Sequence, residues 1–288
     1  MTSKRIVLAG NPNVGKSTVF NALTGLKQHT GNWSGKTVEL ASGSFCLGEN
    51  TYEIFDLPGT YSVISDSPEE KIARDYICFS RSDLTVIVAD ATCMERNLNL
   101  ILQVTEMSEN VLVCINLIDE AQANGIYVNT AKLSSLLGVP VIGICAKKRK
   151  DIAKLKSAIA KAASSVCNDI PKIPYPPQIE AEIAEISEYI SRCNRDISAH
   201  FCRFAAVKML DNRELANDLS NHLTDSAKYR NALFNTVKAA KERLAACGFE
   251  AIYIRDSIVE AIVKLATRIS EICVICDTSK NKNISKKI

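Results

Sequence analysis

The sequence has no uncharged apolar run of about 18 residues, so no segment reads as a membrane-spanning helix. Its start, MTSKRIVLAG, passes from a basic pair into only five apolar residues. That is too short for the apolar region of a secretory signal, and the chain is expected to be cytoplasmic. Charge of neither sign dominates, the net value being +3 over 288 residues. No basic stripe interleaved with aromatics runs through it, so nucleic acid is not expected as a partner. The three histidines, His29, His200 and His222, lie too far apart to suggest a metal site. Of eleven cysteines, Cys46, Cys78, Cys93, Cys114, Cys145, Cys167, Cys193, Cys202 and Cys247 stand singly, mostly in apolar runs. They read as buried reduced thiols rather than disulfides. The one close pair, Cys273 and Cys276, lacks a second pair or a nearby histidine, and its spacing predicts two residues sharing a helix face.

With 47% hydrophobic and 23% charged residues the composition is that of an ordinary globular protein, and the length suggests two domains. Apolar β-rich runs at 5–10, 36–45, 52–56, 84–90, 110–116 and 140–145 alternate with helical patterns, predicting a doubly wound α/β domain. The stretch GSFCLGENTYEIFD predicts a hairpin turning at Gly48 to Asn50, and so one antiparallel edge strand on an otherwise parallel sheet. At NDIPKIPYPP, residues 168–177, four prolines within seven residues rule out a continuing helix. The boundary is placed there: a nucleotide-binding domain over 1–170 and a helical domain over 171–277. Helical periodicity marks 178–193, 198–210, 213–221, 226–246 and 255–275. The tail 278–288, with four lysines and no acid in its last nine residues, is expected to be disordered.

The strongest chemical signal is GNPNVGKST. Gly10 to Ser17 fits G-x-x-x-x-G-K-[ST], between an apolar strand and a helical pattern. In that context the loop residues Gly10, Asn11, Asn13, Val14 and Gly15 and the helix start through Thr18 offer backbone N–H groups to phosphate oxygens. Lys16 is expected on the β- and γ-phosphates and the Ser17 hydroxyl on Mg²⁺. DLPGT ends the third strand with Asp56, expected to hold Mg²⁺ through water, and Gly59, whose N–H would sense the γ-phosphate. NLID supplies Asn116 and Asp119, a carboxylate able to accept from guanine N1 and N2, which adenine cannot match. CAKK follows the sixth strand with Cys145, Ala146, whose N–H suits guanine O6, and Lys147, whose stem suits a base face. Order and strand-end placement predict a P-loop GTPase with GTP or GDP and Mg²⁺ as ligands.

The runs GNPNVGKSTVFNALTG, HTGNWSGKTVE, DLPGTYS and SPEE, in this order, resemble the N-terminal cytosolic G domain of ferrous iron transport protein B, FeoB. The resemblance continues into the helical domain, which in that family is inhibitor-like toward nucleotide dissociation. It implies a Ras-like GTPase that regulates a bacterial Fe²⁺ transporter at the cytoplasmic side of the inner membrane. The permease, on the same or a separate chain, is then the partner, and a homo-oligomer is compatible with that role. Thr37 matches the switch I threonine that ligates Mg²⁺, with switch I over 27–40 and switch II over 56–75. Asn13 matches the asparagine that ligates K⁺ in potassium-stimulated members, which makes Lys16, Thr37, Gly59 and Asn13 the catalytic set.

Two departures carry consequences. Thr60 stands where many GTPases have a water-positioning glutamine, which predicts slow hydrolysis unless another group, such as Glu69 or Glu70, orients the water. Leu117 stands where most have lysine, which predicts weaker base packing and faster nucleotide release. An RNA-binding GTPase of ribosome assembly is the alternative reading, though such proteins usually carry that lysine and a basic RNA-binding module. A nucleotide sensor with negligible turnover is a third.

Overall fold

A computed structural model describes residues 3–25, 29–32, 39–63, 67–79, 82–108, 110–165, 170–193, 197–211 and 226–277. By its contacts the chain divides into two compact units, Met1–Pro171 with Ala266–Ile288, and Lys172–Leu265.

The first unit runs β1 (Ser3–Gly10), α1 (Lys16–Thr24), β2 (His29–Asn32), β3 (Glu39–Leu47), β4 (Asn50–Asp56) and α2 (Pro68–Phe79). It continues with β5 (Leu84–Asp90), α3 (Met94–Met107), β6 (Val111–Asn116), α4 (Ile118–Ala123), β7 (Ile126–Val128), α5 (Thr130–Leu137), β8 (Val141–Gly143) and α6 (Arg149–Ala162). Seven strands form one sheet in the order β2-β3-β4-β1-β5-β6-β8. From β4 to β8 all neighbours are parallel. The hairpin turns where expected, with Leu47 opposite Asn50 and Gly48 at φ 61°. The resulting antiparallel strand β3 is not the edge, however, because β2 pairs antiparallel outside it. The β2 sequence HTGN has no apolar alternation, so only its partner reveals it as a strand.

Strand parity explains how the sheet is covered on both sides. Ile6 and Leu8 of β1 join Val19, Phe20 and Leu23 of α1 and Ile152, Leu155 and Ile159 of α6 in one buried cluster. Val7 and Ala9, of the opposite parity, are as deeply buried, and α3 packs on β5 and β6. A sheet buried on both faces needs unbroken apolar strands such as LTVIVAD and VLVCIN rather than alternating ones. With β1 central and its neighbours β4 and β5 on either side, the loops leaving the carboxyl ends of β1, β4 and β6 converge on one crevice.

The second unit holds α7 (Pro177–Cys193), α8 (Ala199–Asp211), α9 (Ala227–Ala246) and the start of α10 (Ala251–Cys273). Ile179, Ile183, Ile186 and Ile190 of α7 recur at helical spacing and are buried. The proline-rich approach is clamped by Arg203, which donates to the Ile173 carbonyl at 2.9 Å and forks onto Glu180. The expected helix over 213–221 and the tail 278–288 lie outside the described residues.

The C-terminal segment differs from expectation. Helix α10 ends at Cys273, and Val274–Cys276 forms β9, antiparallel to β7, with Asn129 N donating to Cys273 O at 2.8 Å. Cys273 and Cys276 therefore share no helix face; one is buried and the other exposed. The β-branched pair Val274 and Ile275 meets a free strand edge, and that pairing overrides the helical periodicity. It also carries residues from Ala266 on into the first unit, where the sequence suggested one helical domain reaching to 277. Among the described residues no helix is long and apolar enough to cross a membrane, and no three ligating side chains cluster as a metal site.

Candidate functional site

The crevice is built around the loop between β1 and α1. Gly10 ends β1 so close to β5 that a Cβ there would lie 2.5 Å from Val88 O, which excludes any side chain. Asn13 and Gly15 take left-handed backbone conformations, φ 66° and 78°, which curl the chain so that its N–H groups turn inward ahead of α1. Lys16 opens the helix and is 9% exposed, while Ser17 and Thr18 are exposed on its first turn. Its ammonium donates to Asp56 Oδ1, at the end of β4, and to the Leu57 carbonyl. Burial raises the Asp56 pKa above the ordinary carboxylate value, and the adjacent Lys16 charge and hydrogen bond oppose that rise.

The stretch expected as switch II begins at Asp56, where β4 ends. Its Thr60 is 3% exposed, with the hydroxyl donating to Ser62 O and accepting from Ser62 N at 3.3 Å. The Thr60 N–H donates to Gly10 O at 3.1 Å, and Gly59 lies against Pro12. Thr60 is thus turned into its own loop, and Glu69 and Glu70 lie in the first turn of α2. Thr37, with most of the stretch 27–40 expected as switch I, lies outside the described residues.

The second half of the crevice is held by Asn116. Only 1% exposed at the end of β6, its Nδ2 donates to Val14 O and its Oδ1 accepts from Ala146 N, both at 3.1 Å. One amide therefore ties the phosphate loop to the loop after β8. The N–H of Ala146, expected on a base oxygen, here has a protein acceptor. Leu117 follows at φ 60°, a strained left-handed position at the N-cap of α4, two residues before Asp119.

Asp119 Oδ2 accepts a hydrogen bond from the Cys145 thiol at 3.1 Å, while its Oδ1 is buried without a hydrogen-bond partner. The thiol contact holds the Asp119 pKa below its usual value, and burial pushes the Cys145 thiol up. Cys145 N donates to Asp151 Oδ2 at 3.1 Å, a loop clamp that sequence reasoning missed although an aspartate in the first turn of α6 was visible. Lys147 is exposed, its Nζ 3.6 Å from Glu120.

The structure therefore brings together Gly10 through Thr18, Asp56, Gly59, Asn116, Asp119, Cys145, Ala146 and Lys147 at the carboxyl ends of neighbouring strands. The Asp56 carboxylate and Ser17 hydroxyl are hard oxygen donors of the kind Mg²⁺ takes. A glycine-curled anion loop, a lysine, an acidic strand end and an unpaired carboxylate oxygen define a phosphate-loop nucleotide-binding domain of the GTPase type.

The particular family follows. The chain belongs to the family described as ferrous iron transport protein B, whose model matches residues 4–159. It is 36% identical over 264 residues to the Fe(2+) transporter FeoB of Methanocaldococcus jannaschii, an alignment covering 92% of this chain and 39% of that relative. The chain thus spans well under half of the relative's length. Among solved structures, an S. thermophilus NFeoB mutant bound to GDP matches with a TM-score of 0.76 at 32% identity, covering 94% of this chain and 100% of that one. The cytosolic domain of T. maritima FeoB in GMPPNP form matches with 0.76 at 29%, covering 94% and 99%.

Proposed function

We propose that this chain binds guanine nucleotides and hydrolyses GTP slowly, as the regulatory domain of a Fe²⁺ transporter on the cytoplasmic side of the membrane. The observation that carries the base assignment is Asp119 Oδ1, buried and without a partner beside the Asn116 clasp. Guanine, with N1–H and N2–H₂, satisfies a carboxylate; adenine leaves it unpaired, and a site built to hydrogen-bond rejects the unpaired analogue by roughly 10²-fold or more. GDP and GMPPNP in the related structures support the same reading.

In this proposal Lys16 leaves Asp56 for the β- and γ-phosphates, the loop N–H groups cradle them, and the Gly59 N–H faces the γ-phosphate. Ser17, Asp56 and Thr37 would hold Mg²⁺, which supplies charge neutralisation on the phosphate oxygens. Asn13, exposed on the loop, would offer its amide oxygen to K⁺. Thr60, occupied by its own loop, leaves water orientation to backbone or to an added group, which accounts for slow turnover. The transporter's permease is the proposed partner, on the same or a separate polypeptide. No observation favours the RNA-binding alternative.

The test is a fluorescent-nucleotide titration combined with turnover. Wild type should prefer GDP to ADP by about 10²-fold or more. Asp119→Asn should lose guanine and gain xanthine, whose C2 carbonyl accepts from the new amide. Turnover should be faster in KCl than in NaCl, and the difference should vanish in Asn13→Ala. Equal binding of adenine and guanine nucleotides would overturn the base assignment, and equal rates in both salts would remove the cation role.

A further inference from the structure

The side chain of Asn11 has no role in the scheme above, which uses only its backbone. It is 3% exposed, and neither Oδ1 nor Nδ2 has a hydrogen-bond partner. Burying a primary amide unpaired is unfavourable, because the group forfeits its water without replacement. The neighbours of Asn11 are both engaged by switch II. Gly10 O accepts from Thr60 N at 3.1 Å, and a Cβ on Gly59 would stand 3.1 Å from Pro12 Cα. Asn11 is thus bracketed by the loop that must move with the γ-phosphate. The far end of that loop is held by Lys16, through Asp56 and the Leu57 carbonyl.

We propose that Asn11 is a positioning residue whose amide pairs with the switch II backbone over residues 57–61 only when a triphosphate draws Lys16 away. A primary amide carries both a donor and an acceptor, so it can bridge a peptide N–H and C=O as a strand neighbour would. An amide unpaired in one state and paired in the other supplies the differential interaction that any two-state device requires. Asn11 then stabilises the triphosphate arrangement over the diphosphate one without touching the nucleotide through its side chain. The inference rests on the guanine-nucleotide reading above.

The experiment compares the full chain with Asn11→Leu, close to the amide in shape, and with Asn11→Ala. Dissociation constants for GDP and GMPPNP, GTP turnover and the nucleotide-free Tm are measured for each. The variants should bind GMPPNP on the order of tenfold more weakly, the equivalent of one hydrogen bond. GDP affinity should change by less than about threefold on the same scale. The kcat should fall, and the nucleotide-free Tm should hold or rise because an unpaired amide is gone. As a measurement needing no variant to fold, hydrogen exchange in wild type should slow at residues 57–61 with GMPPNP relative to GDP. An unchanged GDP-to-GMPPNP ratio, equal weakening of both nucleotides, a lower nucleotide-free Tm, or unaltered exchange would each overturn the proposal. If wild type bound neither nucleotide, the guanine reading would fail first; if it bound both and the ratio did not move, only the role of Asn11 would fail.

Discussion

Replacing Asn116 with alanine should be among the most damaging changes outside the apolar core, and the structure sets its size. The substitution strips Val14 O of its donor and Ala146 N of its acceptor, each at 3.1 Å. Val14 is 2% exposed and Ala146 8%, so water replaces neither partner readily. At about 1–3 kcal/mol for each buried group left unpaired, the loss is roughly 2–6 kcal/mol. That is a large part of the 5–15 kcal/mol typical of a folded domain, about. A second substitution isolates the cause. A Cβ on Gly15 would fall 2.5 Å from Asn116 Nδ2, at a backbone φ of +78°. Gly15→Ala alone therefore suffers both a clash and left-handed strain of about 1–2 kcal/mol. With Asn116 already alanine the clashing atom is absent, and only the strain remains. The two changes should then be less than additive by about 1 kcal/mol or more. Urea unfolding of nucleotide-free protein, with the m-value checked for constancy, measures all four corners of the cycle. A cost for Asn116→Ala under about 1 kcal/mol, or additivity within about 0.5 kcal/mol, would refute the argument.

Two other outcomes follow from the same geometry. Lys16→Ala removes the cation that opposes the burial-driven rise in the Asp56 pKa, so that pKa should climb further above its unfolded value. A carboxyl with a raised folded pKa binds its extra proton between the two values, so stability should fall as pH rises across that window. Urea midpoints relative to wild type should be lower at neutral pH than near pH 4.5, about the start of the window; a pH-independent difference would show that Asp56 is solvated. In the helical unit, Arg203→Lys keeps the charge but cannot fork onto Glu180 while donating to Ile173 O. It should cost about 1–2 kcal/mol by chemical denaturation, and no measurable cost would mean the clamp is idle.

Much of the site was legible because its chemistry is written in short, contiguous stretches. GNPNVGKST needs its glycines for backbone reasons that act over a few residues, and DLPGT and NLID end strands recognisable from unbroken apolar runs. The hairpin at Gly48 was equally local, depending on turn residues between two strands. Strand β2 was not legible, since HTGN carries no pattern and exists as a strand only through β3. The end of α10 was misread for the same reason, because a helical period continues past Cys273 until a free edge at β7 competes for it.

By itself, then, the sequence determined the phosphate loop, the order of its partner motifs and the alternation of strands and helices, all properties of neighbours along the chain. Only the tertiary structure decided that one Asn116 amide joins two loops, that Cys145 holds Asp119 by one oxygen and leaves the other unpaired, and that Asn11 lies buried without a partner. Those are hydrogen-bond relations between residues from 26 to more than a hundred positions apart, or the lack of them. Whether a buried polar atom finds a partner depends on what the fold brings beside it, and no local pattern encodes that.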